Sequence, residues 1–136
     1  MLGPDEGLPS GAVICLTQDV DGFIWLGTEN GLVRYNRDRC QRWTREDGLP
    51  SAYVSAILPD PAGGLWVASL RGLSRFRQGN FQPAWSGTPA AGLIATFIVH
   101  DPRGRIWASN RDGIYVQEND LQFVLRSARD RGTYPP

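Results

Sequence analysis

The run FIWLGTENGLVRY, from Phe23 to Tyr35, places four bulky apolar residues in succession, breaks at Gly27, turns at Asn30-Gly31 and becomes apolar again. A strand with one wet face alternates apolar and polar side chains, because successive residues point to opposite faces of the sheet. Here the alternation is missing, which predicts a strand dry on both faces. The same texture returns in GLWVASLRGLSRF, Gly64 to Phe76, and in RIWASNRDGIYVQ, Arg105 to Gln117. Trp25, Trp66 and Trp107 stand 41 positions apart, and so do Gly31, Gly72 and Gly113, Gly22, Gly63 and Gly104, and Asp19, Asp60 and Asp101. The tag GLPS opens at Gly7 and again at Gly48, and has decayed to PAAG at Pro89. The chain therefore divides into three units, 7–47, 48–88 and 89–129, with 130–136 as a tail or the start of a further linker.

Each unit reads as strands. In the first, AVICLTQ is a β-branched run, DVDG a turn, FIWLGT a second strand, ENG a tight turn, LVRYN a third strand and CQRWT a weaker fourth. Glycine or proline recurs too often for helices of several turns. Asn30-Gly31 and Asp112-Gly113 suit type I′ hairpin turns, and Arg71-Gly72 keeps the glycine alone. Four short antiparallel strands repeated at about 40 residues predict an all-β fold of β-propeller blades, three four-stranded repeats forming a partial ring. Face-to-face blade packing dries both faces of the inner strands, which accounts for the unbroken apolar runs. Trp25, Trp66 and Trp107 are then inter-blade wedges, each covering on the order of 200 Å².

Composition narrows the function. Fourteen basic residues, all arginine, balance fourteen acidic ones, so no net field draws the chain to nucleic acid or to an anionic membrane. Two cysteines, Cys15 and Cys40, are too few for a disulfide scaffold and lack the paired spacing of a zinc site, which predicts two buried thiols. The start MLGPDEGLPSG has no basic region followed by an apolar core, and no run approaches a membrane span, so the chain as it stands is expected to carry neither leader nor anchor.

Candidate chemistry is thin. Asp19-Val20-Asp21-Gly22 resembles the opening of a calcium loop, but Asn30 stands where the closing bidentate Glu belongs, and Asp60 and Asp101 lack a matching second Asp. The aspartates are better read as turn residues whose side chains accept local backbone hydrogen bonds. His100 is the only histidine, read as a surface residue, and no serine has a relay to it. The expectation is no metal, no cofactor and no enzyme.

With LPS, DxxG, IWLGT and NGLVRY in view, the sequence resembles the two-component regulator propeller repeat over residues 7 to about 117. The first repeat carries Leu8-Pro9-Ser10, Asp19, Gly22, Ile24-Trp25-Leu26-Gly27-Thr28, Asn30-Gly31-Leu32 and Tyr35 in that family's pattern; the second substitutes Ala68-Ser69 and Leu70-Arg71; the third keeps Asp101, Gly104, Ile106-Trp107 and Gly113. The resemblance implies a ligand-sensing module of a bacterial membrane receptor, facing the periplasm and joined elsewhere to a histidine kinase or diguanylate cyclase. Positions held in all three units build blades, whereas differing positions in the same loops are open to a ligand. The turns between second and third strands thus nominate Glu29 and Asn30, Leu70 and Arg71, and Arg111 and Asp112 as a rim for a saccharide or peptide. Three blades do not close a ring, so the expected partners are further blades of a parent receptor or a second copy of the chain. The alternatives are a self-assembling oligomeric propeller lectin and a protein-binding scaffold propeller.

Overall fold

The computed structural model describes residues 11–36, 39–90 and 92–128; the first opening tag, at 7–10, and the tail, at 130–136, lie outside them. The first sheet is a meander of β1 (Val13–Gln18), β2 (Ile24–Thr28), β3 (Gly31–Asn36) and β4 (Arg39–Trp43), all antiparallel and ordered as in the chain. A 3-10 turn, Arg45–Asp47, leads to the second sheet, β5 (Val54–Pro59), β6 (Leu65–Ser69), β7 (Gly72–Arg77) and β8 (Asn80–Pro83), built the same way. The third contains β10 (Phe97–His100), β11 (Ile106–Asn110), β12 (Gly113–Asn119) and β13 (Gln122–Ala128). Second strands begin at 24, 65 and 106 and third strands at 31, 72 and 113, keeping the 41-residue register. The fourth strand of the third sheet starts one residue late, after a β12–β13 pairing whose register shifts between Gln117 and Asn119.

Two features depart from the sequence reading. The third sheet has a fifth strand, β9 (Trp85–Ser86), parallel to β13, where four antiparallel strands were expected. The connection from β8 runs along the outer edge of the third sheet before crossing to its first strand, and the pairing satisfies part of an edge otherwise open. The predicted type I′ turns are also displaced. The two-residue loops are Glu29-Asn30, Leu70-Arg71 and Arg111-Asp112, because Thr28 pairs with Gly31, Ser69 with Gly72 and Asn110 with Gly113. None of those loop residues has a positive φ. The residue before each loop closes it instead: Thr28 Oγ1 accepts from Asn30 N at 3.0 Å and donates to Gly31 O at 2.8 Å, Ser69 Oγ donates to Gly72 O at 3.1 Å, and Asn110 Oδ1 accepts from Asp112 N at 2.8 Å. Glycine is needed after the loop for closeness: a Cβ on Gly31 would lie 2.6 Å from Trp43 O, and one on Gly72 3.3 Å from Pro50 Cβ.

The sheets stack face to face, with β5 packed beside both β1 and β10, so the first strands gather along one inner edge. Trp25, Leu32, Leu49, Val54, Leu65, Val67 and Phe76 fill the space between the first two sheets, where Trp25, Trp43 and Phe76 form a ring cluster with centroids 5.0–5.5 Å apart. Trp66, Leu73, Leu93, Ile98, Ile106 and Phe123 fill the second space. Every residue of β6 is buried, as the missing alternation requires of a strand covered on both faces. Trp25 and Trp66 are 5% and 1% exposed, whereas Trp107, on the outward face of the third sheet, is only half-buried.

The repeated aspartates do more than shape turns. Asp19 Oδ1 accepts from Asp21 N and Phe23 N, at 2.9 and 3.0 Å, while Oδ2 accepts from Trp25 Nε1 at 2.7 Å. Asp60 and Asp101 repeat this, accepting from Trp66 Nε1 at 3.0 Å and Trp107 Nε1 at 2.8 Å. Gly22, Gly63 and Gly104 close the same turns by donating to the aspartate carbonyls at 3.0, 2.8 and 2.9 Å. One carboxylate thus satisfies both the turn and the polar end of the wedge tryptophan, which buries the indole without an orphaned N–H. The Trp107 bond, with those from Arg105 and Arg103 against some desolvation, holds the Asp101 carboxyl down to about 2.

Candidate functional site

The three varied turns lie at one end of the sheets. Glu29 N donates to Ala12 O at 3.1 Å, Leu70 N to Tyr53 O at 3.2 Å, and Asn110 Nδ2 to Ile94 O at 2.7 Å, so each turn is tied to the segment entering the first strand of its own sheet. Glu29, Asn30, Leu70, Arg71, Arg111 and Asp112 are all exposed. Their charges are mixed, with an apolar residue at Leu70. Among the described residues no ion pair joins one turn to the next. His100 is exposed on β10, and Cys15 and Cys40 are half-buried and not joined in a disulfide. Among the described residues no group of three His, Cys, Asp or Glu side chains converges in a way that fits a metal ion, and no helix is long and apolar enough to cross a membrane.

Between the sheets lie polar contacts the sequence did not single out. Arg75, buried on β7, donates through Nε and Nη2 to Gln82 Oε1 at 3.1 and 2.9 Å, and its Nη1 pairs with Asp120 from the turn of the third sheet. Arg77 Nη2 pairs with Asp60 Oδ2 at 3.1 Å. In the first sheet Arg34 lies over the rings of Phe23 and Trp25, at 4.8 and 5.8 Å, and donates through Nη2 to Gln41 Oε1 at 3.1 Å. The shared Arg-to-Gln spacing of seven, offset by 41, was the available signal.

Residues 7–30 and 48–71 match the family described as two component regulator propeller. Those two stretches carry the two component regulator propeller pattern. The fold agrees. Over 85% of its length the chain superposes with a TM-score of 0.73 and 23% identity on the extracellular domain of BT3049 from B. thetaiotaomicron, assigned as a hybrid two component system. Over 95% it superposes with a TM-score of 0.70 and 20% identity on the extracellular domain of BT4673 from the same organism, also assigned as a hybrid two component system. The chain spans 18% of the length of each of those structures. No curated protein matches it. Its four-stranded sheets are propeller blades, the third bearing the added strand β9.

Proposed function

We propose that this chain is a ligand-sensing propeller segment of a bacterial signal-transduction receptor, facing the periplasm, that binds its ligand without transforming it. The observation supporting this is the division of labour within the repeat. The aspartates and tryptophans held in register are engaged in blade construction, whereas Glu29-Asn30, Leu70-Arg71 and Arg111-Asp112 occupy equivalent exposed turns and differ in charge. Rim loops on a rigid scaffold are where binding residues concentrate. Arginine beside carboxylate and amide groups suits the hydroxyls and acids of a saccharide or the backbone of a peptide, and no nucleophile and base meet there, which favours binding over turnover. Probing glycan and peptide arrays with the chain tests this. Arg71→Ala and Arg111→Ala are expected to weaken capture of a hit by about tenfold or more, roughly 1.4 kcal/mol. A ligand bound equally by both variants, or consumed by the protein, overturns the reading.

The open ends of the stack support a second element of the proposal. Leu16 is 67% exposed on the outward face of the first sheet, and Phe97, Val99 and Ile114 are exposed on that of the third. In the working protein these faces are covered by further blades of a longer receptor chain or by a second copy. Light scattering over a dilution series should show concentration-dependent association of the isolated chain; a stable monomer at micromolar concentration refutes it.

A further inference from the structure

The segment that enters the third sheet ties two of the exposed turns together. Leu93 O accepts from Leu73 N at 2.7 Å, just past the second turn, and a Cβ on Gly72 would lie 4.0 Å from the same oxygen. The next carbonyl, Ile94 O, accepts at 2.7 Å from Nδ2 of Asn110, the residue that opens the third turn. Consecutive carbonyls thus reach opposite neighbours, as in extended chain, and the side chains alternate as that geometry requires. Leu93 and Ala95 are buried, while Ile94 is 50% exposed. Ile94 therefore stands at the surface between the Leu70-Arg71 turn of the second sheet and the Arg111-Asp112 turn of the third.

The junction carries two kinds of chemistry side by side. Leu70, 59% exposed, and Ile94 offer branched aliphatic surface to solvent, and Arg71 and Arg111 are exposed beside them. The places of Leu70, Arg71 and Ile94 are held by Glu29, Asn30 and Tyr53 where the first sheet meets the second, so the combination is not part of the blade pattern. Among the described residues neither arginine is engaged in an ion pair. Asp112 follows Arg111 and weakens its pull on a bare anion, so a ligand held here needs the apolar contact as well as the charge.

We infer that this junction binds the C-terminal residue of a peptide, with an aliphatic side chain resting on Leu70 and Ile94 and the free carboxylate paired with Arg71 and Arg111. In such a residue the side chain and the carboxylate leave the same Cα, which matches apolar and cationic groups on adjoining positions of two tied turns. A planar carboxylate fits the guanidinium fork, and a Leu, Ile or Val side chain matches the aliphatic pair, which has no donor or acceptor for sugar hydroxyls. The inference narrows the ligand-binding reading proposed above and rests on it.

The test is fluorescence anisotropy of dansyl-Gly-Gly-Leu with a free carboxyl, titrated with the full chain, beside the same peptide as its C-terminal amide and dansyl-Gly-Gly-Gly. The free acid should bind saturably, the amide about tenfold more weakly and the glycine peptide roughly fivefold more weakly. Leu70→Ser and Ile94→Ser, both exposed changes, should bring the leucine peptide down to the level of the glycine peptide. Arg71→Gln should weaken the acid by about tenfold and leave the amide unchanged. An amide bound as well as the acid, or a leucine peptide indifferent to Ile94→Ser, overturns the inference. So does the absence of peptide binding: a saccharide captured through Arg71 would then leave the broader binding reading standing, and no ligand of either kind would remove both. A leucine peptide bound as expected but cleaved by the chain would instead keep the inference and overturn binding without turnover.

Discussion

Removing the Asp60 carboxylate should destabilise the central blade more than any other single polar deletion between sheets. Asp60 Oδ2 accepts from Trp66 Nε1 at 3.0 Å and from Arg77 Nη2 at 3.1 Å, and Oδ1 accepts from Ala62 N at 2.9 Å. Trp66 is 1% exposed, so in Asp60→Ala its indole N–H is left in a dry space with no water to replace the lost acceptor. Hydrogen bonds to a charged acceptor contribute about 1.5–3 kcal/mol, and an orphaned buried donor costs a further 1–3 kcal/mol. Asp60→Ala should therefore cost about 3 kcal/mol, allowing for water that repairs the exposed part of the Arg77 contact. Trp66→Phe removes the donor, so in that background Asp60→Ala should cost about 1.5 kcal/mol less. Urea unfolding of the four proteins of the cycle, read by circular dichroism with unchanged m values, gives the coupling. A coupling energy below about 0.5 kcal/mol would refute the claim that the aspartate exists to satisfy the wedge. Asp101→Ala should be milder, because half-buried Trp107 can turn its N–H to solvent.

A Cβ on Gly27 would sit 2.4 Å from Cys15 Sγ and 2.7 Å from Val54 Cγ1, so Gly27→Ala is expected to cost about 1–3 kcal/mol in thermal or urea unfolding, partly relieved by Val54→Ala. The Asp101 carboxyl, held at about 2 against an ordinary 3.8 chiefly by Trp107, contributes stability that is complete above 3.8 and is lost as pH falls through about 2. Carboxyl NMR should show that midpoint, and Trp107→Phe should move it upward; an unchanged midpoint contradicts the cause assigned. Burial raises the Cys15 thiol above its ordinary 9.0, against hydrogen bonds from the backbone of Gly27 and Ile57. Alkylation at pH 8 should be slower for Cys15 than for a model peptide cysteine, and equal rates would show the thiol to be open to solvent.

The fold was legible because blade packing writes itself into the chain twice, as a 41-residue register and as apolar runs without alternation. Trp66 and β6 show both: a strand with five buried residues reads as a continuous hydrophobic run. The fifth strand β9 was not legible, since a two-residue parallel pairing depends on where a linker happens to lie and leaves no pattern in Trp85-Ser86. The turn register was misread because Asn-Gly is a strong local signal, whereas Thr28, Ser69 and Asn110 close the loops from one position upstream. The Asp-to-Trp bond was within reach, as its spacing of six recurs three times, but a turn already explained the aspartate. Arg75–Asp120 joins residues 45 apart across two blades, and nothing in one chain segment marks such a pair.

Register also says what the two ends of the stack are for. On the second sheet Ile57, Leu65, Val67 and Phe76 cover the face that carries Trp25. Their counterparts 41 residues earlier, Leu16, Ile24, Leu26 and Tyr35, lie on the outward face of the first sheet, where Leu16 is exposed and the others are half-buried. On the opposite side of the second sheet, Ala56, Leu58, Leu73 and Ala84 pack with Trp66 against the third. The counterparts of Ala56, Leu58 and Leu73, which are Phe97, Val99 and Ile114, lie with Trp107 on the outward face of the third sheet and are exposed. One end therefore presents the tryptophan half of a blade contact and the other presents the half that covers it. Under the proposed reading such a contact is head to tail, continuing along a longer chain or closing into a ring between copies, and pairing like ends does not satisfy it. On the tryptophan side Phe97 stands where the internal contact has Ala56, and on the covering side Leu26 and Tyr35 stand where the third sheet has Ala108 and Gln117. Under the reading proposed above, larger side chains on both halves of the contact favour additional blades with their own complementary faces over a second identical copy.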